Sequence, residues 1–161
     1  MKEEIQHFLL THLNFLPPEL LVIIVSATPI LELRGGIPLG LGFGFSFWKT
    51  MLLALIGNIL PILPALILFQ PLSKILLKYR WYKSFYNWLY GRTLKKSTQI
   101  QKYGAIGLML FTAVPLPTTG AYTACIAASI FALPVRISFL AITAGVLIAG
   151  FGVGIALYSI F

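Results

Sequence analysis

Two runs of apolar residues in this chain are each broken near the middle by residues that stop helices. The first run covers residues 20–47 and has Glu32-Leu33-Arg34-Gly35-Gly36-Ile37-Pro38 at its centre. The second covers residues 104–133 and has Val114-Pro115-Leu116-Pro117-Thr118-Thr119-Gly120-Ala121 at its centre. A helical arm of eleven to fourteen residues rises ~16–21 Å, whereas the hydrocarbon core of a bilayer is roughly 30 Å thick. The pattern therefore predicts two re-entrant helical hairpins rather than two crossings.

Each broken run is followed by a longer, mostly apolar run that is sufficient for one crossing. Residues 49–70 and residues 136–161 supply these two transmembrane helices. Residues 1–18 predict an amphipathic helix on the membrane surface, and residues 71–102 predict a second amphipathic region that is basic and aromatic. The fold class that we expect is an all-α integral membrane protein, with the whole chain forming a single membrane domain.

The two halves of the chain show the same order of elements. Each has a short arm, a centre rich in Pro or Gly, a return arm of small residues, an interfacial basic residue and a crossing. Lys49 matches Arg136, and Gly35-Gly36 matches Gly120-Ala121, at an offset of about 85 to 87 residues. Because an odd number of crossings separates the hairpins, they enter from opposite faces of the membrane, and their tips meet near the midplane. The pattern therefore predicts an inverted repeat.

Composition and charge agree with a membrane protein and orient it. The chain is 58% hydrophobic and only 10% charged, whereas a soluble domain has about 25% charged residues. Eight of the twelve basic residues lie between Lys74 and Lys102, so the positive-inside rule places residues 71–102 in the cytoplasm of a multi-pass protein of the cell (cytoplasmic) membrane. Basic residues among aromatics also suit nucleic acid, but the flanking membrane segments disfavour that alternative, and we expect no nucleic acid as a partner.

Glu32 is the single acidic residue well inside an apolar segment, and intramembrane ionisable residues are functional by default. We interpret Glu32 and Arg34 as a gated site. Glu32 would exchange a proton or meet a cation, and Arg34 would meet an anion or hold Glu32. The alternative is a structural ion pair that fixes the hairpin.

Backbone and polar side chains at the two hairpin centres complete the candidate site. Unwound backbone at membrane depth is tolerated where it lines a cavity or is buried in protein, although glycines and prolines also simply permit turns. Thr118 and Thr119 either donate to the ligand or cap the return arm. Asn58 is expected to bond another helix, with a place along the transport path as the alternative. The candidate substrate- or ion-binding residues are Glu32, Arg34, Gly35, Gly36, Pro38, Asn58, Pro115, Pro117, Thr118, Thr119 and Gly120.

The sequence carries no enzyme motif. It has no Asp and no Walker or Rossmann glycine pattern, and His7 and His12 are five positions apart, off the spacing that places two metal ligands on one helical face. Cys125 is the single cysteine, so no internal disulfide is possible. We expect no catalytic activity, no cofactor and no metal.

The motif Glu32-Leu33-Arg34-Gly35-Gly36-Ile37-Pro38, followed by Pro115-Leu116-Pro117-Thr118-Thr119-Gly120-Ala121-Tyr122, resembles the putative small multi-drug export protein family. That family is similar, more distantly, to the DedA (VTT-domain) membrane proteins. The resemblance covers roughly residues 20–161. It implies two re-entrant hairpins, each followed by a transmembrane helix, and proton-linked transport or scrambling of lipids, including the recycling of polyprenyl-phosphate carriers.

The resemblance also assigns individual residues. By position, Glu32 matches the acidic residue of the first hairpin, and Pro115 and Pro117 match the proline-rich second tip. DedA proteins usually carry arginine around the second hairpin, where this chain has Thr118 and Thr119. A phosphate grip or proton relay of the DedA kind would therefore need different residues here.

Three functions are consistent with these features. The first is a secondary, proton-coupled exporter of amphipathic or lipid-like substrates, and the second is a polyprenyl-phosphate or phospholipid flippase or scramblase. The third is a non-transporting membrane protein whose basic surface helix recruits a cytoplasmic partner. The expected partners are membrane lipids, the substrate, protons and a second copy of the chain.

Overall fold

The computed structural model describes residues 16–76, 78–80, 83–84, 97–114 and 120–160, without the side chains of residues 70, 72–76 and 97–102. The regular elements of these residues are all helices. They are α1 (Pro18–Ala27), α2 (Glu32–Gly42), α3 (Phe47–Ile59), α4 (Ile62–Leu76), α5 (Ser97–Ala113), α6 (Ala121–Ile130) and α7 (Val135–Ile160). The amphipathic helix predicted over residues 1–18, apart from its last three residues, lies outside the described residues, as do residues 77, 81–82 and 85–96 of the basic region 71–102.

Within the described residues, two stretches are long and apolar enough to cross a membrane, namely Phe47–Phe69 with 23 residues and Val135–Ile160 with 26. Only 33% and 28% of their most apolar windows are buried, which leaves most of their surface for lipid. The first stretch joins α3 to α4 through a turn at Leu60 and Pro61, because Pro61 has no N–H to continue the helical ladder. The described chain is an all-helical membrane protein.

The chain forms two compact units. Unit 1 contains Met1–Pro61 and Val146–Phe161, and unit 2 contains Ile62–Gly145, so that α7 contributes to both. In unit 1, helices α1, α2 and α3 all pack against one another. Helices α1 and α2 have 10 and 11 residues and rise only ~15 and ~17 Å, so neither can cross a bilayer alone.

An ion pair joins the beginnings of α1 and α3. Lys49 Nζ lies 2.7 Å from Glu19 Oε1, and it also lies 4.0 Å from the centroid of the Phe45 ring. The hydrogen bond from Lys49 lowers the pKa of the exposed Glu19 carboxyl. A lysine that pairs with a carboxylate and an aromatic ring is typical of a helix end at the headgroup level.

The far end of α7 is fixed to the same region of unit 1. The Tyr158 hydroxyl donates to the Phe45 carbonyl oxygen at 2.7 Å and accepts from the Thr50 hydroxyl at 2.8 Å. Its ring meets the Phe47 ring edge to face, with centroids 5.2 Å apart. A methyl group on Gly154 would lie 2.8 Å from Met51 Sδ and would displace this flexible side chain, so the glycine favours the close approach of α7 to α3.

In unit 2, helix α6 packs against α4 and α5. The buried apolar centre of this packing is formed by Ile62, Leu66, Ala124, Cys125 and Ala128. The Cys125 thiol faces the Ile62 carbonyl oxygen at 3.9 Å, which is a packing position.

The turn that follows the return arm occurs twice, 88 residues apart, with the same backbone hydrogen bonds. The bonds are Phe45 N to Gly40 O at 3.0 Å and Gly44 N to Leu41 O at 2.9 Å, then Leu133 N to Ala128 O at 2.9 Å and Ala132 N to Ser129 O at 3.2 Å. Each pair is a Schellman motif closing a helix. Its left-handed residue is Gly44, with φ 76°, in the first copy and Ala132, with φ 51°, in the second.

A glycine contact between the crossing helix and the first arm is also repeated. A methyl group on Gly57 would lie 2.9 Å from Ser26 Cβ, and one on Gly145 would lie 2.6 Å from Thr112 Cβ. Each glycine also faces the carbonyl oxygen three residues before that partner. Equivalent residues of the two halves are therefore 86 positions apart in the first arms, and 88 apart in the return arms and the crossing helices. With an offset of 88, Gly36 is equivalent to Ala124 and not to Gly120 or Ala121.

Candidate functional site

The break in the first hairpin lies before Glu32 and not after it. The backbone leaves α1 at Thr28, forms a turn through Leu31, and then runs as helix α2 from Glu32 to Gly42. The prediction of a break at residues 32–38 is wrong because Pro29 ends the helix earlier. A residue before proline is forced out of the helical region, and Thr28 has the extended ψ of 140°.

Glu32 begins α2 with a backbone φ of 47°. This left-handed conformation costs a non-glycine residue roughly 1–2 kcal/mol, and such strain is retained at functional sites when the surroundings enforce it. The Glu32 N–H donates to the Thr28 carbonyl oxygen at 3.1 Å. Glu32 and Arg34 are both half-buried, and both have interaction partners in the structure. The two charged residues of hairpin one therefore belong to the first turn of one helix.

Gly35, Gly36 and Pro38 lie inside α2 and do not form an unwound loop. The Gly35 N–H donates to the Leu31 carbonyl oxygen at 3.0 Å, and Pro38 is exposed within the helix. A methyl group on Gly36 would collide with Ser26 Oγ of α1. The glycines thus allow close helix approach, which corrects the expectation that they supply turns or free backbone for a ligand.

Asn58 lies halfway along the span Phe47–Phe69 and is 1% exposed. Neither its amide oxygen nor its amide nitrogen has a hydrogen-bond partner among the described residues. No described residue therefore fulfils the expectation that Asn58 bonds another helix.

Ser26 is a further residue of this region that the sequence pattern did not single out. It is fully buried on α1 between Gly36 of α2 and Gly57 of α3, and its hydroxyl also has no hydrogen-bond partner in the described part of the chain. A signal was present, because small residues collect where membrane helices approach closely. The sequence could not show which of the small residues of α1 would meet these two glycines.

Most of the second hairpin tip lies outside the described residues, including Pro115, Pro117, Thr118 and Thr119. Gly120 is described and is the N-cap of α6. Its N–H donates to the Thr123 hydroxyl at 2.9 Å, so this amide is already satisfied within the return arm.

Unit 2 has an open groove of about 530 Å³ between α5 and α6. Its walls include Tyr103, Gly107, Phe111, Ala127 and Phe131, and the Tyr103 hydroxyl is the single polar side-chain group among its lining residues. Nothing lies within 4 Å of the position that a Gly107 side chain would take, so this glycine leaves the groove open. The shape and apolar lining suit a hydrocarbon chain.

In the described residues, no three His, Cys, Asp or Glu side chains come together as a metal-binding group. The candidate polar groups in the first hairpin are those of Ser26, Glu32 and Arg34, and Asn58 lies on the helix that follows.

A comparison with protein families matches residues 32–151 of the chain to the family model described as "putative small multi-drug export protein". No curated protein and no solved structure matches the chain. The matched range begins at Glu32 and includes the end of hairpin one, both linkers after the return arms and most of α7.

Proposed function

The chain belongs to the family of putative small multi-drug export proteins, and we propose that it is a secondary exporter of amphipathic or lipid-like molecules in the cytoplasmic membrane. The observation that supports this most is the strained Glu32, at the start of a helix too short to cross the membrane. An acidic residue at such a place is expensive, and transport sites are the usual reason for keeping one. Membrane lipids and the substrate are the proposed partners.

In the proposed mechanism, Glu32 and Arg34 provide the polar part of the substrate site. Glu32 takes up a proton from one side of the membrane and releases it on the other, or it meets a cationic substrate directly. Arg34 meets an anionic group of the substrate or holds Glu32 between steps. Proton exchange at Glu32 would couple export to the proton gradient, and no step requires a cofactor.

We also propose that the chain is an inverted repeat of two re-entrant hairpins. The repeated Schellman turns and the repeated glycine contacts support two copies of one helical design. The basic residues between Lys74 and Lys102 support a cytoplasmic loop. With that loop inside, the first hairpin opens outward and the second opens toward the cytoplasm.

A lipid flippase is the second candidate, and the groove between α5 and α6 favours it. Its aromatic and small apolar lining would accept one hydrocarbon chain of a polyprenyl phosphate or a phospholipid. Independently of the groove, Arg34 of unit 1 is the proposed phosphate-binding group of a flippase, because its guanidinium donates to two phosphate oxygens at once.

Flux into reconstituted liposomes tests the exporter. With an imposed pH gradient, the protein should accumulate a fluorescent lipophilic cation, and Glu32→Gln should abolish accumulation because the variant cannot exchange a proton. Glu19→Gln is the matched control, since it changes the interfacial glutamate that pairs with Lys49, and it should retain flux. Equal flux in wild type and Glu32→Gln would contradict the mechanism.

The same liposomes separate the two candidates. A fluorescent polyprenyl phosphate that crosses the bilayer with wild-type protein and with Glu32→Gln, but not with Arg34→Ala, would favour the flippase. Loss of cation flux in Glu32→Gln, without any movement of the lipid, would favour the exporter.

A further inference from the structure

Asn58 occupies an unusual position for an unpaired amide. It lies at the middle of a membrane span, is 1% exposed, and has no hydrogen-bond partner on either amide atom within the described residues. Lipid offers no hydrogen bonds, and an unsatisfied polar group there is strongly unfavourable. The amide therefore indicates a bound polar molecule.

Ser26 supplies a second unpaired group close to the same place. Its side chain is fully buried, its hydroxyl has no partner within the described residues, and its Cβ would lie 2.9 Å from a methyl group on Gly57, the neighbour of Asn58. A serine inside a helix usually donates to the carbonyl four residues earlier. Ser26 does not, and its hydroxyl lies against Gly36 of α2 without a hydrogen-bond partner in the described part of the chain.

The second half of the chain shows that packing alone does not require these groups. Thr112 has the position of Ser26, since it faces Gly145 as Ser26 faces Gly57, but its hydroxyl donates to the Leu108 carbonyl oxygen at 2.8 Å. Val146 follows Gly145 as Asn58 follows Gly57, and it is a buried apolar residue. The same helix contact is therefore made with a satisfied hydroxyl and no amide.

The unpaired atoms define the chemistry of the ligand. Asn58 offers an acceptor and two donors, and Ser26 offers a donor and an acceptor. A cation would leave the amide nitrogen unsatisfied, and an anion would leave the amide oxygen unsatisfied. Water donates and accepts in equal number, and buried waters typically make about three hydrogen bonds to polar groups that lack other partners.

We propose that Asn58 and Ser26 form a buried water-binding site at the middle of the first span. Gly36, which faces Ser26, lies four positions after Glu32 in α2. The water site does not rest on the proposed function, because hydration needs no substrate and no gradient.

Nuclear magnetic resonance of the ¹⁵N-labelled full chain in lipid nanodiscs tests the site. The side-chain amide protons of Asn58 should show nuclear Overhauser cross-peaks to water. The exposed indole N–H of Trp48 reports that such cross-peaks are detectable. Ser26→Ala should remove most of the Asn58 cross-peak intensity, because the water loses one of its two protein partners.

Thr112→Ala is the matched control, because it deletes the equivalent hydroxyl from unit 2, and it should leave the Asn58 cross-peak unchanged. Asn58→Val, which introduces the residue present at position 146, should remain folded, and the loss of the cross-peak in this variant assigns that peak to Asn58. Absence of an Asn58 cross-peak in wild type, with that of Trp48 present, would overturn the site. An Asn58 cross-peak that Ser26→Ala leaves at full intensity would overturn the pairing of the two residues.

Discussion

Glu32 combines two features that each cost free energy. Its backbone is left-handed, with φ 47°, and its carboxyl belongs to a short apolar hairpin. Glycine would relieve the first, and any neutral side chain would relieve the second. Because both features lower stability, a function of the Glu32 carboxyl explains the residue better than packing does. The two features can be tested separately.

Glu32→Gly should stabilise the protein and stop transport. Removal of the left-handed strain, less the greater chain entropy of glycine, should raise the free energy of unfolding by about 0.5–1 kcal/mol. Glu32→Gln keeps the side-chain length and the backbone strain, so it should stop transport without that gain. Unfolding in mixed SDS and detergent micelles, with flux in liposomes, measures both properties. A destabilised Glu32→Gly would show that the carboxyl is a structural partner in the turn.

At the scale of helices and turns, the two Schellman motifs use different residues for one conformation. Gly44 accepts its φ of 76° without strain, whereas Ala132 holds a φ of 51° with a Cβ atom. Both precede a linker that leads directly into a spanning helix. The second motif is therefore the less favourable of the two, although its hydrogen bonds are the same.

Reciprocal substitutions should shift stability in opposite directions. Ala132→Gly should raise the free energy of unfolding by up to about 1 kcal/mol, and Gly44→Ala should lower it by about 1–2 kcal/mol. The SDS unfolding assay measures both, and neither substitution changes a side chain of the candidate site. If both variants lost stability equally, the strain assigned to Ala132 would be incorrect.

The sequence predicted the elements better than their breaks. The lengths of the apolar runs located two short arms around residues 20–47 and a crossing helix at 136–161, close to α7. The break at Thr28 was not predicted, because Gly35-Gly36 was the more obvious interruption. Gly36 accommodates the Ser26 side chain of α1. A contact of this kind between two helices does not change the hydrophobic periodicity of either sequence segment, so the sequence does not show it.

The sequence likewise predicted the charged residues of the candidate site but not the contacts that depend on helix packing. Glu32 and Arg34 stand out in any apolar run, and the structure places both in the first turn of α2. The missing partner of Asn58 and the presence of Ser26 depend on which helix faces meet. The groove beside Gly107 likewise exists only when α5 and α6 are packed together.

For the whole molecule, the repeated turns and glycine contacts give the chain of 161 residues two similar helical arrangements, each of which includes one of the two candidate spans in the described residues. One helical design serves twice, and the chemistry differs between the copies. The first copy carries Glu32, Arg34 and Asn58, whereas Val146 stands where the second would carry the amide. If the copies are inverted, substrate contacts in the first hairpin should be reached from the outer side and those in the second from the cytoplasm.

Labelling of equivalent positions tests this inversion. Ser46 and Pro134 are exposed, lie 88 residues apart, and each precedes a spanning helix. In a Cys125→Ala background, a membrane-impermeant maleimide should label Ser46→Cys from outside intact cells. It should label Pro134→Cys and Lys96→Cys only after the cytoplasmic face is exposed, because the basic region lies inside. Labelling of Ser46→Cys and Pro134→Cys from one face would mean that the two copies are parallel, and a shared midplane site fed by opposed hairpins would then be impossible.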